Sequence, residues 1–312
     1  MLFRSQLKAT ITDDLAGERL DKAASSIWSD YSRSVLKKWI DSGQLLLNGD
    51  LGKPRDKVFA NDEISLEPGD IREESWEPQD IPLNIIYESE HFIVINKPSD
   101  LVVHPGAGIK SGTLANGLAF HFNELMSLPR NGIVHRLDKD TSGIMVIART
   151  PKFHKSIISQ LHDREVYKAY KAIIYGEVKA TRYFDGSIGR DPKNRIKMKI
   201  NENGRDAFTT IFPNISKNGF SLIDVEITSG RTHQIRVHLS DASLPIVGDQ
   251  LYKVKSLNPN YFSPEHAEVA YAFPRQALHA HQLRFHDITG SVVDFCAELP
   301  EDFLRLQQQL FM

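Results

Sequence analysis

The sequence predicts an α+β protein in two parts: a small unit of two helices and a hairpin, then a larger domain with a central, mainly antiparallel mixed sheet. Three observations carry this reading. Before residue 66 apolar residues recur at helical spacing and then give way to a short strand pair around Asn48-Gly49. Beyond residue 82 short alternating runs outnumber helical stretches without strict alternation, which argues against a doubly wound nucleotide fold. Between the two parts the charge changes: residues 1–60 hold 10 basic and 8 acidic side chains, residues 61–80 hold 1 and 8, and residues 81–312 hold 27 and 24, so the net charge of -2 resolves into +2, -7 and +3.

Leu20, Ala23, Ala24 and Ile27 share a face of a first helix, and Val35, Leu36, Trp39 and Ile40 share a face of a second. Ser32 suits the N-cap of the second helix and Gly43 its end. Leu45-Leu46-Leu47 then meets Asn48-Gly49, a dipeptide that tolerates the positive φ angles of a tight hairpin, with a return segment through Val58 and Ile64 to Leu66. The acidic, Pro/Gly-punctuated stretch that follows reads as an extended, solvated connector. The predicted boundaries are 1–72 for the first unit, 73–82 for the connector and 83–312 for the larger domain.

In that domain the predicted strands are Ile85 to Tyr87, Phe92 to Asn96, Gly132 to His135, Ile144 to Ala148, Tyr167 to Tyr175, Ser221 to Ile227 and Thr232 to Leu239. Helices are predicted over Thr113 to Phe122 and Thr150 to His162, the second with Thr150 as N-cap and Pro151 in its first turn.

Composition removes several classes. A single cysteine, Cys296, allows neither an internal disulfide nor a thiolate zinc cage and suits a reducing cytoplasm. No apolar run approaches the roughly 20 residues that cross a bilayer, and Met1 to Thr10 lacks the apolar core of a signal peptide. No GxGxxG follows a strand and no GxxxxGK[ST] loop is present, so no nucleotide cofactor is expected. His279-x-His281 lacks a third ligand and reads as a pair of strand histidines, so no metal is expected either.

The segment from His135 to Gly143, His-Arg-Leu-Asp-Lys-Asp-Thr-Ser-Gly, puts dense charge between two apolar runs, where a rigid scaffold can present a reactive loop. Plain turn chemistry is the bland account of Asp138 to Gly143. Asp138-x-Asp140 lacks the third acid and the terminal Glu of a calcium loop. It also differs from a phosphotransferase nucleophile loop, because His135 and Arg136 interrupt the preceding strand.

The same segment resembles the signature of the pseudouridine synthases of the large ribosomal RNA class, the RluA/RluD group. Asn96-Lys97-Pro98 with His104-Pro105, Lys168-x-Tyr170, Gly189 to Lys199, Gly230 to His238, and Pro245-Ile246-x-Gly248-Asp249 resemble that family in its order. The amino-terminal unit resembles the small RNA-binding module shared by a small-subunit ribosomal protein and several RNA-modifying enzymes. That likeness is carried by Arg19 to Lys22, Ser32-Arg33 and Gly43 to Gly49 and points to the D-type enzymes.

The resemblance implies a central cleft in the sheet and isomerisation of specific uridines in bacterial large-subunit ribosomal RNA without a cofactor. The partner would be that RNA or an assembling large subunit, and the enzyme a cytoplasmic monomer. Asp138 matches the essential carboxylate, Arg236 the active-site arginine, and Tyr170 the ring that packs on the target base and handles the C5 proton. Attack at C1′, attack at C6 and removal of a C2′ proton are all open to Asp138 at this stage. Arg231 is the alternative to Arg236 and a candidate RNA contact.

A partly desolvated carboxylate needs a neighbouring guanidinium to stay charged. Strand alternation would put Gln234, Arg236 and His238 on one face. His135 and Arg136 are expected to assist uridine extrusion. Arg190, Lys193, Arg195 and Lys197, together with Arg33, Lys37 and Lys38 on the second helix, are expected to meet RNA phosphates. A non-catalytic RNA-binding or ribosome-assembly factor on the same scaffold is the alternative.

Overall fold

A computed structural model describes residues 6–28, 31, 33–68, 76–106, 108–253 and 261–312. The expected N-cap Ser32 and connector residues 73–75 lie outside the described residues. Contacts divide the chain into Met1–Ser75 and Trp76–Met312.

The amino-terminal unit contains β1 (Leu7–Thr10), α1 (Leu20–Ile27), α2 (Arg33–Asp41), β2 (Leu45–Leu47), β3 (Asp50–Leu51) and β4 (Glu63–Leu66). Its four strands are antiparallel in the order β1-β4-β2-β3. The predicted helix faces are the ones it buries: Leu20, Ala23 and Ala24 from α1 and Val35, Leu36, Trp39 and Ile40 from α2 enclose the core with Leu45, Ile64 and Leu66. Asn48 and Gly49 turn the hairpin with φ of 54° and 83°. The first strand, β1, has no prediction; its four residues offer too short an alternation and pair only with β4.

The larger unit comprises β5 (Ile85–Glu88), β6 (Phe92–Lys97), α3 (Leu114–His121), β7 (Ser142–Ala148), α4 (Pro151–His162), β8 (Tyr167–Tyr175), β9 (Arg182–Phe184), β10 (Ile188–Arg190), β11 (Met198–Ile200), β12 (Thr209–Lys217), β13 (Phe220–Ile227), α5 (Gln234–Asp241), α6 (Pro264–Ala272), β14 (Leu278–His286), β15 (Val292–Cys296) and α7 (Glu301–Phe311). The sheet runs β5-β6-β7-β14-β8-β13-β12-β9, with β15 alongside the second half of β14. Every described pairing in it is antiparallel except β7 with β14.

That parallel contact explains the glycine of Thr-Ser-Gly. Gly143 has φ of 122°, and a Cβ there would stand 2.2 Å from the Ala280 carbonyl oxygen, so only glycine lets β14 lie against the start of β7. The buried β6, β7, β8 and β13 supply most of the core, and α4 covers it from β7 and β14. Thr150 caps α4 as predicted, its hydroxyl accepting from the Phe153 amide.

Three predictions need correction. The alternation from Thr232 to Leu239 belongs to a helix, α5, not to a strand. Gln234, Ile235, Arg236, Val237, His238 and Leu239 are all buried, so over these six residues the helix has no solvent face to reveal its period. The run from Gly132 to His135 is not a strand of the sheet. Arg130 and Asn131 form a left-handed turn with φ of 52° and 50°, and Ile133 makes only an isolated bridge to Ile147.

The described end of the expected connector, residues 76–82, is docked on the larger unit at several points, although Glu77, Pro78, Asp80 and Pro82 stay exposed. Trp76 packs on the core of the larger unit, Gln79 N donates to Asn116 O, and Asn116 Nδ2 donates to Glu77 O. Main-chain hydrogen bonds to a buried asparagine outweigh the repulsion suggested by the acidic composition.

Candidate active site

The reactive loop leaves the left-handed turn at Arg130-Asn131 and closes with the Thr141 amide donating to the Asp138 carbonyl, just before β7 begins. Asp138 therefore sits at the rim of the sheet on a loop tied at both ends. Its side chain is 19% exposed, enough to reach a substrate while most of its water has been removed.

Arg236, on α5, donates from Nη1 to Asp138 Oδ2 at 2.7 Å. Its other edge is held by Asp249, with Nε to Oδ2 at 2.7 Å and Nη2 to Oδ1 at 3.0 Å. This two-point clamp fixes the plane of the guanidinium, and the Tyr252 ring lies 5.1 Å from its central carbon. Burial works against the Arg236 charge, but the two carboxylates outweigh it and keep the cation protonated. Burial likewise opposes ionised Asp249, yet hydrogen bonds from Arg236 and the Tyr252 and Leu251 amides hold its carboxyl below the usual range.

His233 begins the turn into α5 with φ of 56° and stands 3.8 Å from Asp138 Oδ1 through Nε2. Its Nδ1 shares a 2.8 Å hydrogen bond with the Tyr252 hydroxyl, which also accepts from the Met198 amide. Burial keeps His233 predominantly neutral, against the pull of Asp138 and Asp249. Gln234 anchors the same turn, accepting from the Arg231 amide and the Ser229 hydroxyl and donating to Phe208 O and Thr209 Oγ1.

Tyr170, on β8, lines the same cleft as Asp138, Arg236 and Ile227, which has a volume of about 490 Å³ including its open mouth. Burial, reinforced by the negative charge of Asp138, raises the Tyr170 hydroxyl well above its ordinary range, so the phenol stays protonated near neutral pH. The cleft joins an apolar and aromatic wall to a carboxylate fixed by a guanidinium. It can hold a planar ring against Tyr170 while presenting an oxygen of Asp138 to the group attached to that ring.

The other predicted residues separate. Arg136 and Arg231 line the cleft, Arg231 donating from Nε to the Asp206 carbonyl. His135 departs from its expected role in RNA contact: its Nε2 accepts from the Val146 amide at 3.0 Å, and burial lowers its pKa to about 3. A neutral imidazole tied to the sheet has no charge to offer a phosphate.

Arg190, on β10, donates to the Arg195 carbonyl across the β10–β11 turn, which leaves Lys193 and Arg195 exposed. The Lys197 ammonium lies 5.8 Å from the Tyr252 ring, so this basic hairpin meets the aromatic that backs Arg236. Arg33 donates to both oxygens of the buried Asp21 at 3.0 Å, so part of its charge is already engaged; Lys37 and Lys38 are exposed residues of α2. His279 is a strand residue bonded to Ser142 Oγ and Ala297 O; among the described residues no cluster of potential ligands could hold a metal ion.

Sequence reasoning assigned no role to His233, Asp249 or Tyr252. Asp249 lies in a quoted motif, but its use as the anchor of Arg236 required knowing that residues 13 apart in sequence are neighbours in space.

Residues 91–241 match the family described as RNA pseudouridylate synthase. The chain is 40% identical over 308 residues to "Ribosomal large subunit pseudouridine synthase D" of Vibrio cholerae serotype O1, covering 98% of this chain and 95% of the relative. It is 39% identical over 308 residues to the protein of the same name from Escherichia coli strain K12, covering 98% and 94%. Among solved structures, human RNA Pseudouridylate Synthase Domain Containing 4 superposes with a TM-score of 0.57 at 25% identity, covering 73% of this chain and 92% of that one. Human RNA Pseudouridylate Synthase Domain Containing 1 gives 0.56 at 26%, covering 79% and 91%. With near-complete coverage at this identity, and a cleft built from the motifs in which the likeness is densest, the chain belongs to the RNA pseudouridylate synthase family.

Proposed function

We propose that this protein isomerises specific uridines of bacterial large-subunit ribosomal RNA to pseudouridine, with Asp138 as the essential carboxylate. The observation that carries this reading is the 2.7 Å bond from Arg236 Nη1 to one oxygen of Asp138 at the wall of a cleft that also contains Tyr170. The reaction breaks N1–C1′, turns the detached uracil, joins C5 to C1′ and exchanges the C5 proton for one on N1, with no change in oxidation state. It calls for an ionised carboxylate beside the sugar and a pocket that retains the ring.

Arg236 orients Asp138 through that bond. The Tyr170 ring packs on the base, and its protonated hydroxyl takes part in the proton exchange at C5, a role supported by its position in the same cleft as Asp138. Reaching the cleft requires the uridine to leave its stack at a cost of about a few kcal/mol, which RNA contacts elsewhere offset. Arg136 at the cleft mouth suits the vacated space or a phosphate, and the exposed Lys193, Arg195, Lys37 and Lys38 suit the RNA backbone. The substrate is the ribosomal RNA or the assembling large subunit, and the enzyme acts as a cytoplasmic monomer.

Ribosomal RNA labelled with tritium at uridine C5 tests the proposal. The wild-type protein should release tritium to water, and Asp138→Asn should bind the RNA and release none. Full release by Asp138→Asn would remove Asp138 from the chemistry; no release by the wild type would favour a binding protein on the same scaffold.

A further inference from the structure

Three consecutive residues after Asp138 are held by buried donors from outside the loop. Lys97, at the end of β6, is fully buried, and its ammonium donates to the Lys139 carbonyl at 3.0 Å as well as to Pro98 O and Leu101 O. Arg275 is 6% exposed and donates from Nη1 to the Asp140 carbonyl at 3.3 Å. Gln276 is 4% exposed and donates from Nε2 to the Thr141 hydroxyl at 3.0 Å. Burying a cation for a main-chain carbonyl is costly, and a surface loop does not ordinarily require it.

Arg275 is itself set by a distant element. Asp302, in the first turn of α7, grips it at two points, Nε to Oδ2 at 2.7 Å and Nη2 to Oδ1 at 2.8 Å. The main chain of Arg275 reaches the other half of the site. A Cβ on Gly248 would lie 2.0 Å from the Arg275 carbonyl oxygen, and Gly248 precedes Asp249, the anchor of Arg236. Residue 275 thus touches the loop that carries Asp138 with its side chain and the turn that holds Arg236 with its carbonyl. It does not line the cleft.

We propose that Arg275, held by Asp302 of the carboxy-terminal helix, is a positioning residue for Asp138 that fixes the reactive loop through the Asp140 carbonyl. The Asp138 to Arg236 distance is then set from both sides by one residue, and α7 is part of the catalytic apparatus without approaching the substrate. This rests on reading Asp138 as the essential carboxylate.

The test is single-turnover tritium release by the full-length protein, in excess over C5-labelled large-subunit ribosomal RNA, read as a rate constant and an amplitude. At saturating protein the rate constant is independent of how much of it is folded, so a fall that further protein does not restore reports displacement of Asp138. Arg275→Ala should lower the rate constant by about tenfold to a hundredfold at wild-type amplitude and RNA affinity. Asp302→Asn should lower it by about threefold to tenfold by the same route. A wild-type rate constant in Arg275→Ala, whatever its amplitude, overturns the proposal. If that variant is insoluble, Asp302→Asn decides in the same way, since its carboxylate is 41% exposed and its replacement leaves Arg275 in place. Asp138→Asn measured alongside separates the two readings: if it is inactive while Arg275→Ala is fast, only the positioning role fails, and if it is active, the reading of the site fails.

Discussion

The two units each contain a three-member charge cluster, with opposite stoichiometry. In the amino-terminal unit one buried carboxylate, Asp21, is shared by two half-exposed arginines, Arg19 and Arg33. In the larger unit one buried arginine, Arg236, is shared by two carboxylates, Asp249 at 1% exposure and Asp138 at 19%. Where cations are in excess the acid is saturated, and burial, which would raise its pKa, is outweighed by both arginines. Where acids are in excess the arginine is saturated by its anchor, and the outer carboxylate keeps an oxygen facing the cleft. The first cluster builds structure and leaves residual positive charge at the surface; the second builds structure and leaves a reactive oxygen.

The largest effect should come from removing the anchor. Asp249→Ala should cost the larger unit about 3–5 kcal/mol in denaturant unfolding, because a buried guanidinium loses its two-point partner. It should also abolish tritium release. A loss below about 1 kcal/mol with activity retained would show that Arg236 does not depend on Asp249, and the contrast between the clusters would collapse. Arg236→Lys keeps the charge but not the fork that spans both acids. Turnover should fall about a hundredfold or more, with RNA affinity unchanged.

Tyr170→Phe keeps the ring and removes only the hydroxyl. If that hydroxyl handles the C5 proton, turnover should fall by about a hundredfold or more, whereas a role limited to packing predicts a rate near that of the wild type.

The amino-terminal cluster should respond more weakly. Arg33→Ala leaves Asp21 with Arg19 and should lower the melting midpoint of that unit by about 5 °C. Trp28 and Trp39 fluorescence can follow this unit, but Trp76 cannot, since it packs on the larger unit beside His104 with ring centroids 5.7 Å apart. Lys37→Glu, away from Asp21, should leave stability unchanged and reduce the salt dependence of RNA binding by about one phosphate contact. Unchanged binding would make this helix face merely solvated.

Acid should distinguish the units by spectroscopic titration. Burial lowers His104 and His279 to about 4 and His135 to about 3, from the usual 6.5. The unfolded chain therefore binds these protons first, so the larger unit should lose stability as pH falls below about 6.5, most of it by about 4. The amino-terminal unit depends instead on Asp21, whose lowered pKa confers stability that is lost only as pH falls below the ordinary carboxylate range. Simultaneous acid unfolding of both units near pH 6 would contradict this ordering.

Much of this was legible in the chain. The faces of α1 and α2 and the hairpin at Asn48-Gly49 follow from period and turn chemistry, as does the Thr150 cap of α4. Asp138, Tyr170 and Arg236 were named from motifs, and the structure brings all three to one cleft. Period failed at α5, because six consecutive buried residues, Gln234 to Leu239, need not show an apolar stripe, and their alternating Gln, Ile, Arg, Val and His imitates a strand. Motif position misled at His135, a polar residue beside the reactive loop whose Nε2 accepts from the Val146 amide.

The sequence by itself determined the division into two units, most of the local elements and the family, since each depends on near neighbours or on a motif that is contiguous or kept in order. Only the tertiary structure decided how the charges are shared. Asp138, Arg236 and Asp249 come from different segments, and the reactive loop is reached by Lys97 from β6 and by Arg275 from the segment before β14, itself held by Asp302 of α7. A guanidinium has a fixed number of donors, and which carboxylates and carbonyls receive them is set by distances in space that no interval along the chain encodes.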